Sequence, residues 1–192
     1  MSRDTISIHF VNAALAGVRR LNIDLNVILN RAGIDAELLN QPRARVSPDQ
    51  YTRLAQTLWL VSQDEHLGFG RSPRRLGTFA TMCRLIIHAG TLGKALERGS
   101  QFYRLFGDEW SMSIARDAHD ARLGLQIPVD RDPDHFITES MLMVWHGLAS
   151  WLIERRIPLE RVQFAYPEPA HVQEYDALFF SPIVRFDRSE ER

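Results

Sequence analysis

The stretch that decides the fold is EWSMSIARDAHDARLGLQIPV, residues 109–129. Trp110, Met112 and Ile114 alternate with small polar residues, and Leu123, Leu125 and Ile127 repeat the alternation after the polar turn DAHD. A period of two places alternate side chains on one face of an extended chain, so this stretch predicts a β-hairpin with one buried face. Upstream the period is 3.6. TISIHFVNAALAGVRR carries Ile8, Val11, Leu15 and Val18 at helical spacing, and Gly33 is placed to stop the helix in IDLNVILNRAG. In VSPDQYTRLAQTLWLVSQ, Ser47 predicts an N-cap, Pro48 a first turn and Gln50 the reciprocal half of a capping box. Leu54, Leu58 and Val61 then share a face, with Trp59 beside it. LGTFATMCRLIIHAG is apolar nearly all round, which predicts a buried helix. TLGKALERGSQFYRLFG is amphipathic, with Leu92, Ala95, Leu96, Phe102 and Leu105 expected inward. Before these two helices, DEHLGFGRSPRR reads as a loop rich in turn formers and positive charge.

Downstream of the hairpin, DHFITESMLMVWHGLASWLIERR predicts a long helix, RVQFAYP a strand and EPAHVQEYDALFF a short helix. The last strand, IVRF, either docks beside VQFAY or expects a partner further along the natural polypeptide, because an isolated edge strand is weakly held. The expected class is α+β, a single domain over 1–192. Its helical N-terminal part, about 5–106, packs with a small, mainly antiparallel sheet carrying helices, about 107–187. That sheet comprises the hairpin and the two later strands.

A chain of 192 residues with 45% hydrophobic and 24% charged residues suits one globular domain. Its net charge of −1 gives no general attraction to nucleic acid or to an anionic membrane. No apolar run approaches the roughly 20 residues that span a bilayer, and the start MSRDTIS is no secretory signal. The single cysteine, Cys83, cannot form an internal disulfide, which fits a reducing cytoplasm. Lys94 is the one lysine among 23 basic residues, a bias spread along the whole chain and explained by GC-rich coding.

Several polar groups invite chemistry. His135, Glu139 and His146 fall on one side of the predicted long helix, and Ser150 extends the stripe. Two histidines and a carboxylate suit a metal or an acid–base pair. At 1.5 Å rise per residue, however, His135 and His146 stand about 16 Å apart, too far to share one ion. The bland reading is a solvated or pocket-lining stripe, in which Met143 and His146 offer a ligand apolar and hydrogen-bonding surface. Arg84 and His88 lie one turn apart on the apolar MCRLIIH helix. A buried Arg84 needs a carboxylate of the fold or an anionic ligand beside it. Cys83 reads as an inert thiol. There is no G-x-S-x-G elbow, P-loop or G-x-G-x-x-G, so no catalytic residue, metal or cofactor is assigned. A helix-turn-helix is excluded in residues 25–58, because thirteen residues, including Pro42, separate Gly33 from Ser47.

The ordered set VILNRAGIDAELLNQPRARVSPDQYTRLAQTLW, SQDEHLGFG, LGTFATMCRLIIHAGTLGKALERGSQFYRLF and RVQFAYPEPAHVQEYDALFFSPIVRF resembles the N-terminal, arabinose-binding-like domain of AraC/XylS-type bacterial transcription regulators, from about Val27 to Phe186. Each motif is mostly structural; their order and spacing carry the resemblance. It implies a sensory domain that forms homodimers and binds a small-molecule effector of unspecified identity. Promoter DNA would be reached only through a carboxy-terminal helix-turn-helix domain absent from this chain, which then reads as a sensor separated from its output. The residues expected to line the effector pocket are Arg84, His88, Tyr103, Trp110, Glu139, Met143 and His146. The alternatives are a ligand-free dimerisation or protein-interaction module, and a cofactor-binding sensor.

Overall fold

A computed structural model of the chain describes residues 5–107, 110–117, 119–128, 130–179 and 183–187. It divides into two compact units, one running through Leu142 and the other starting at Met143.

The first unit opens with strand β1 (Ile6–Ser7), which pairs antiparallel with β2 (Arg45–Val46). Ser7 then caps helix α1 (Ile8–Arg19) by accepting from the His9 N–H. As the spacing predicts, Ile8, Val11, Leu15 and Val18 are all buried. Helix α2 (Leu25–Ala32) is capped by Asp24 and ends at Gly33, whose φ of 69° is a left-handed conformation that glycine adopts without strain. A 3-10 turn (Ala36–Asn40) leads to β2 and then to α3 (Pro48–Ser62). Both halves of the predicted capping box form: the Gln50 N–H donates to Ser47 Oγ, and the Ser47 N–H donates to Gln50 Oε1. Leu54 and Leu58 of α3 are completely buried with Ile28, Leu29 and Ala32 of α2 and the α1 face. Each large apolar side chain removed from water in this contact contributes roughly 1.5–3 kcal/mol.

Helices α4 (Thr78–Ile86) and α5 (Leu92–Arg104) pack on each other. Two expectations are corrected here. The α4 helix is not buried all round: Met82 and Ile86 are, but Leu85 is 53% and Ile87 47% exposed. With nine residues it presents one buried stripe, and its other apolar side chains stay uncovered. Leu105 does not point inward either, because α5 stops at Arg104 and Leu105, at the C-cap, is 80% exposed. The hairpin forms as read, β3 (Ser111–Arg116) against β4 (Ala121–Gln126), with Met112 opposite Leu125 and Ile114 opposite Leu123. These four are half-buried while Ser111, Ser113 and Ala121 are exposed, so alternation sets the face.

Helix α6 (Phe136–Leu152) spans the boundary between the units. Its start is set by Asp132, which is 1% exposed. Its Oδ1 accepts from the Ile137 N–H at 3.0 Å, and its Oδ2 from the Thr138 N–H at 2.9 Å and the Thr138 hydroxyl at 2.7 Å. His135 therefore precedes the helix, at a left-handed φ of 57°, and the expected stripe of His135, Glu139 and His146 is corrected. Only Glu139 and His146 ride on the helix.

The second unit carries strand β5 (Val162–Gln163), a 3-10 turn (Val172–Glu174), α7 (Tyr175–Phe179) and β6 (Val184–Arg185). The IVRF strand docks beside VQFAY, in parallel: Val162 faces Val184 and Gln163 faces Arg185. Its core is aromatic. Phe164 lies within 4.9–5.6 Å, centroid to centroid, of Tyr166, Tyr175, Phe179 and Phe186. The hydroxyls of Tyr166 and Tyr175 satisfy each other at 3.0 Å. Such pairs add about 0.5–1.5 kcal/mol each beyond their burial. The class is thus α+β, with the described strands distributed over three two-stranded sheets.

Candidate functional site

The loop DEHLGFGRSPRR is densely tied by hydrogen bonds to its own backbone and to α4. Asp64, 2% exposed, accepts the backbone N–H of His66 at 2.9 Å and of Arg74 at 2.6 Å on Oδ1, and that of Gly68 at 2.8 Å on Oδ2. A buried carboxylate needs such partners, and charge-assisted hydrogen bonds are the strong kind. The Glu65 N–H donates to the Arg74 carbonyl at 2.7 Å, so the Arg74 backbone is held from both sides. The Glu65 carboxylate turns to α4 and accepts the N–H groups of Gly77 and Phe79 at 2.7 and 2.8 Å. Gly77 has no side chain to cap the helix, and Glu65 supplies both the acceptors and the favourable charge. On its other side the loop presses its Leu67–Gly68 backbone onto Gly17 of α1, where a Cβ on either glycine would collide with main-chain atoms.

This frame projects two buried nitrogen-bearing side chains, His66 at 6% and Arg74 at 8% exposure. The His66 ring stacks on Trp110 with centroids 3.8 Å apart and planes 17° apart. It also runs nearly parallel to Tyr103, at 6.5 Å and 23°. The Arg74 guanidinium sits 4.5 Å above the Phe106 ring. Tyr103 comes from the last turn of α5, Phe106 from just beyond it, and Trp110 from immediately before β3. The junction between helices and hairpin, where the sequence period changes, thus closes on the loop. Two buried donors there, Arg74 Nε and Trp110 Nε1, have no hydrogen-bond partner among the described residues.

Burial first, and then the Arg74 charge, push His66 from the ordinary range down to about 3, so the imidazole is neutral. Burial, then Glu65 and Cys83, push the Tyr103 phenol up, against a smaller opposing pull from Arg74. Burial and then Glu65 likewise raise the Cys83 thiol, which keeps it protonated and unreactive. The groups gathered here are held as a lone cation, neutral rings and hydrogen-bond donors. That combination offers apolar surface with a few polar groups, as ligand sites do. Among the described residues no three His, Cys, Asp or Glu side chains converge as a metal ion requires. No helix among them is long and apolar enough to cross a membrane.

Of the residues singled out from sequence, the structure brings Tyr103 and Trp110 together on His66. Arg84 lies on an exposed position of α4 and His88 on an exposed position beyond its end, so Arg84 does not carry the burial cost anticipated for it. Glu139 is 2% exposed within α6. Met143, 37% exposed, and His146 belong to the second unit. There His146 has a structural partner: Nε2–H donates to the Ile157 carbonyl at 2.8 Å, which can only accept. Ser150 Oγ accepts the Ile157 N–H at 3.1 Å, so the lower stripe of α6 anchors the returning chain. Sequence reasoning missed His66, Arg74 and Phe106. Their only trace is a histidine beside two acids, with an arginine eight residues on, in a segment that composition marks as loop.

The model for the arabinose-binding domain of AraC transcription regulators, N-terminal, matches residues 23–192. The chain is also similar to the Ornithine utilization regulator of Pseudomonas aeruginosa, at 23% identity over 181 residues. The alignment covers 92% of this chain and 52% of that protein, so the chain spans about half the length of the curated relative it matches.

Proposed function

Because the chain belongs to the family of N-terminal arabinose-binding domains of AraC transcription regulators, we propose that it is the effector-sensing, homodimerising part of a bacterial, cytoplasmic transcription regulator. It binds a small molecule, and the bound state biases promoter binding by a helix-turn-helix domain elsewhere in the full-length protein. The observation that carries the sensing role is the His66–Trp110–Tyr103–Arg74–Phe106 cluster, in which aromatic rings accompany two buried donors, Arg74 Nε and Trp110 Nε1, that have no acceptor among the described residues. Tyr103 and Trp110 are its walls. Arg84, His88 and Glu139 lie in the same unit outside this cluster, and Met143 and His146 belong to the other unit.

A thermal-shift screen of small metabolites, including L-ornithine and L-arabinose, tests the sensing role. The expected outcome is at least one compound that raises Tm in proportion to the logarithm of its concentration. The shift should fall in Trp110→Ala and persist in Arg84→Ala and His146→Ala. If no compound stabilises the chain while sedimentation shows a dimer, the domain is an interaction module instead. The uncovered Leu85 and Ile87 favour that second reading.

A further inference from the structure

Donors buried without acceptors are costly, and a buried guanidinium without a counter-charge more so. Arg74 is 8% exposed and forms no ion pair among the described residues. The two carboxylates beside it in the loop are already engaged, Asp64 with three backbone N–H groups and Glu65 with two. The face of Phe106 lies 4.5 Å from the Arg74 guanidinium, a weak substitute for an anion. Trp110 Nε1, on the ring that stacks against His66, likewise has no acceptor among the described residues.

We propose that Arg74 and Trp110 form the anion end of the effector site, and that the effector is an organic carboxylate with a flat, apolar body. The inference rests on the sensing role and adds the chemical class of the ligand. One guanidinium and one indole N–H, beside a neutral imidazole, match a single negative charge shared by two oxygens. A phosphate dianion would need more donors and more charge. Tyr103, Phe106 and Trp110 supply the apolar walls. Phe106 is itself 45% exposed, so rotation of its ring away from Arg74 opens the guanidinium to an incoming ligand.

The test titrates the chain with acetate, benzoate and octanoate, with the matching uncharged amides, and with inorganic phosphate, following Tm. At least one carboxylate should stabilise the chain, its amide and phosphate should not, and Arg74→Met should abolish the response. Trp110→Phe should weaken binding about tenfold, the worth of one lost hydrogen bond. Without ligand, Arg74→Met should melt at or above the wild-type temperature, since it removes an uncompensated buried charge. Asp108 and Glu109 lie in sequence between Phe106 and Trp110. If Arg74→Met and the Asp108→Asn/Glu109→Gln double variant each lower Tm by similar amounts, an internal carboxylate fills the site and the proposal fails. It fails equally if no carboxylate shifts Tm, if amides or phosphate act as well, or if Arg74→Met keeps the response. An uncharged hit in the metabolite screen beside inert carboxylates would overturn this inference and leave the sensing role standing.

Discussion

His66 is the group through which single-residue chemistry is most directly measurable. Its folded-state pKa of about 3 lies below the ordinary 6.5, driven first by burial and then by Arg74. A histidine depressed in this way is neutral in the folded protein while the unfolded chain takes up a proton as pH falls through 6.5. Its contribution is therefore complete above pH 6.5 and is lost progressively as pH falls toward 3. The slope is about 1.4 kcal/mol per pH unit, or roughly 2 kcal/mol between pH 8 and pH 5. His66→Phe keeps a ring against Trp110 and removes the titration. Urea unfolding at the two pH values should show a smaller loss for the variant, with the other titrating groups common to both proteins. An equal loss in both would show that His66 is not the source.

Among the elements, α6 depends most on one side chain. Asp132 satisfies two first-turn N–H groups and a hydroxyl from a position that is 1% exposed, so its loss leaves buried donors as well as an uncapped helix. Asp132→Ala should cost roughly 2–3 kcal/mol, adding a cap's worth to an unsatisfied-donor penalty. Asp132→Asn, which keeps one acceptor, should cost less. Chemical denaturation reads both, and a loss under about 0.5 kcal/mol for the alanine variant would mean that the cap is dispensable. The same residue shows where the sequence was legible and where it was not. Capping signals that act over three residues, such as Ser47 with Gln50, and apolar periods that repeat, as in α1 and the hairpin, read directly. Asp132 acts across five and six residues through Pro133, and so the helix start and the place of His135 were misread. The α4 pattern Leu85–Ile86–Ile87 specifies an apolar surface but not what covers it. The candidate cluster was half legible: aromatic residues at the change of period drew attention to Tyr103 and Trp110. Asp64 organises His66 and Arg74 through backbone N–H groups, which every residue has, so no side-chain pattern announces it.

For the whole molecule, sensing has a thermodynamic consequence that does not depend on the route by which the signal travels. A ligand moves promoter binding only by the ratio of its affinities for the DNA-competent and DNA-incompetent arrangements. The cluster around Arg74 would supply such a ratio if the proposed carboxylate binds there, because Arg74 Nε and Trp110 Nε1 have no acceptor among the described residues. Linkage then makes the effect reciprocal: if the carboxylate tightens promoter binding by a given factor, promoter DNA must tighten carboxylate binding by the same factor. For typical couplings of about 1–3 kcal/mol that factor is roughly 5–150. If the chain belongs to a longer promoter-binding regulator, as proposed, fluorescence anisotropy of labelled promoter with and without ligand gives one side of the cycle in that protein. Calorimetric titration of ligand with and without DNA gives the other. The two factors should agree, and both should collapse toward one in Arg74→Met while promoter binding without ligand is retained. Ligand binding that survives with a coupling factor of one would show that the Arg74 cluster holds a molecule without reporting it, and the sensory role would have to be sought elsewhere in the chain.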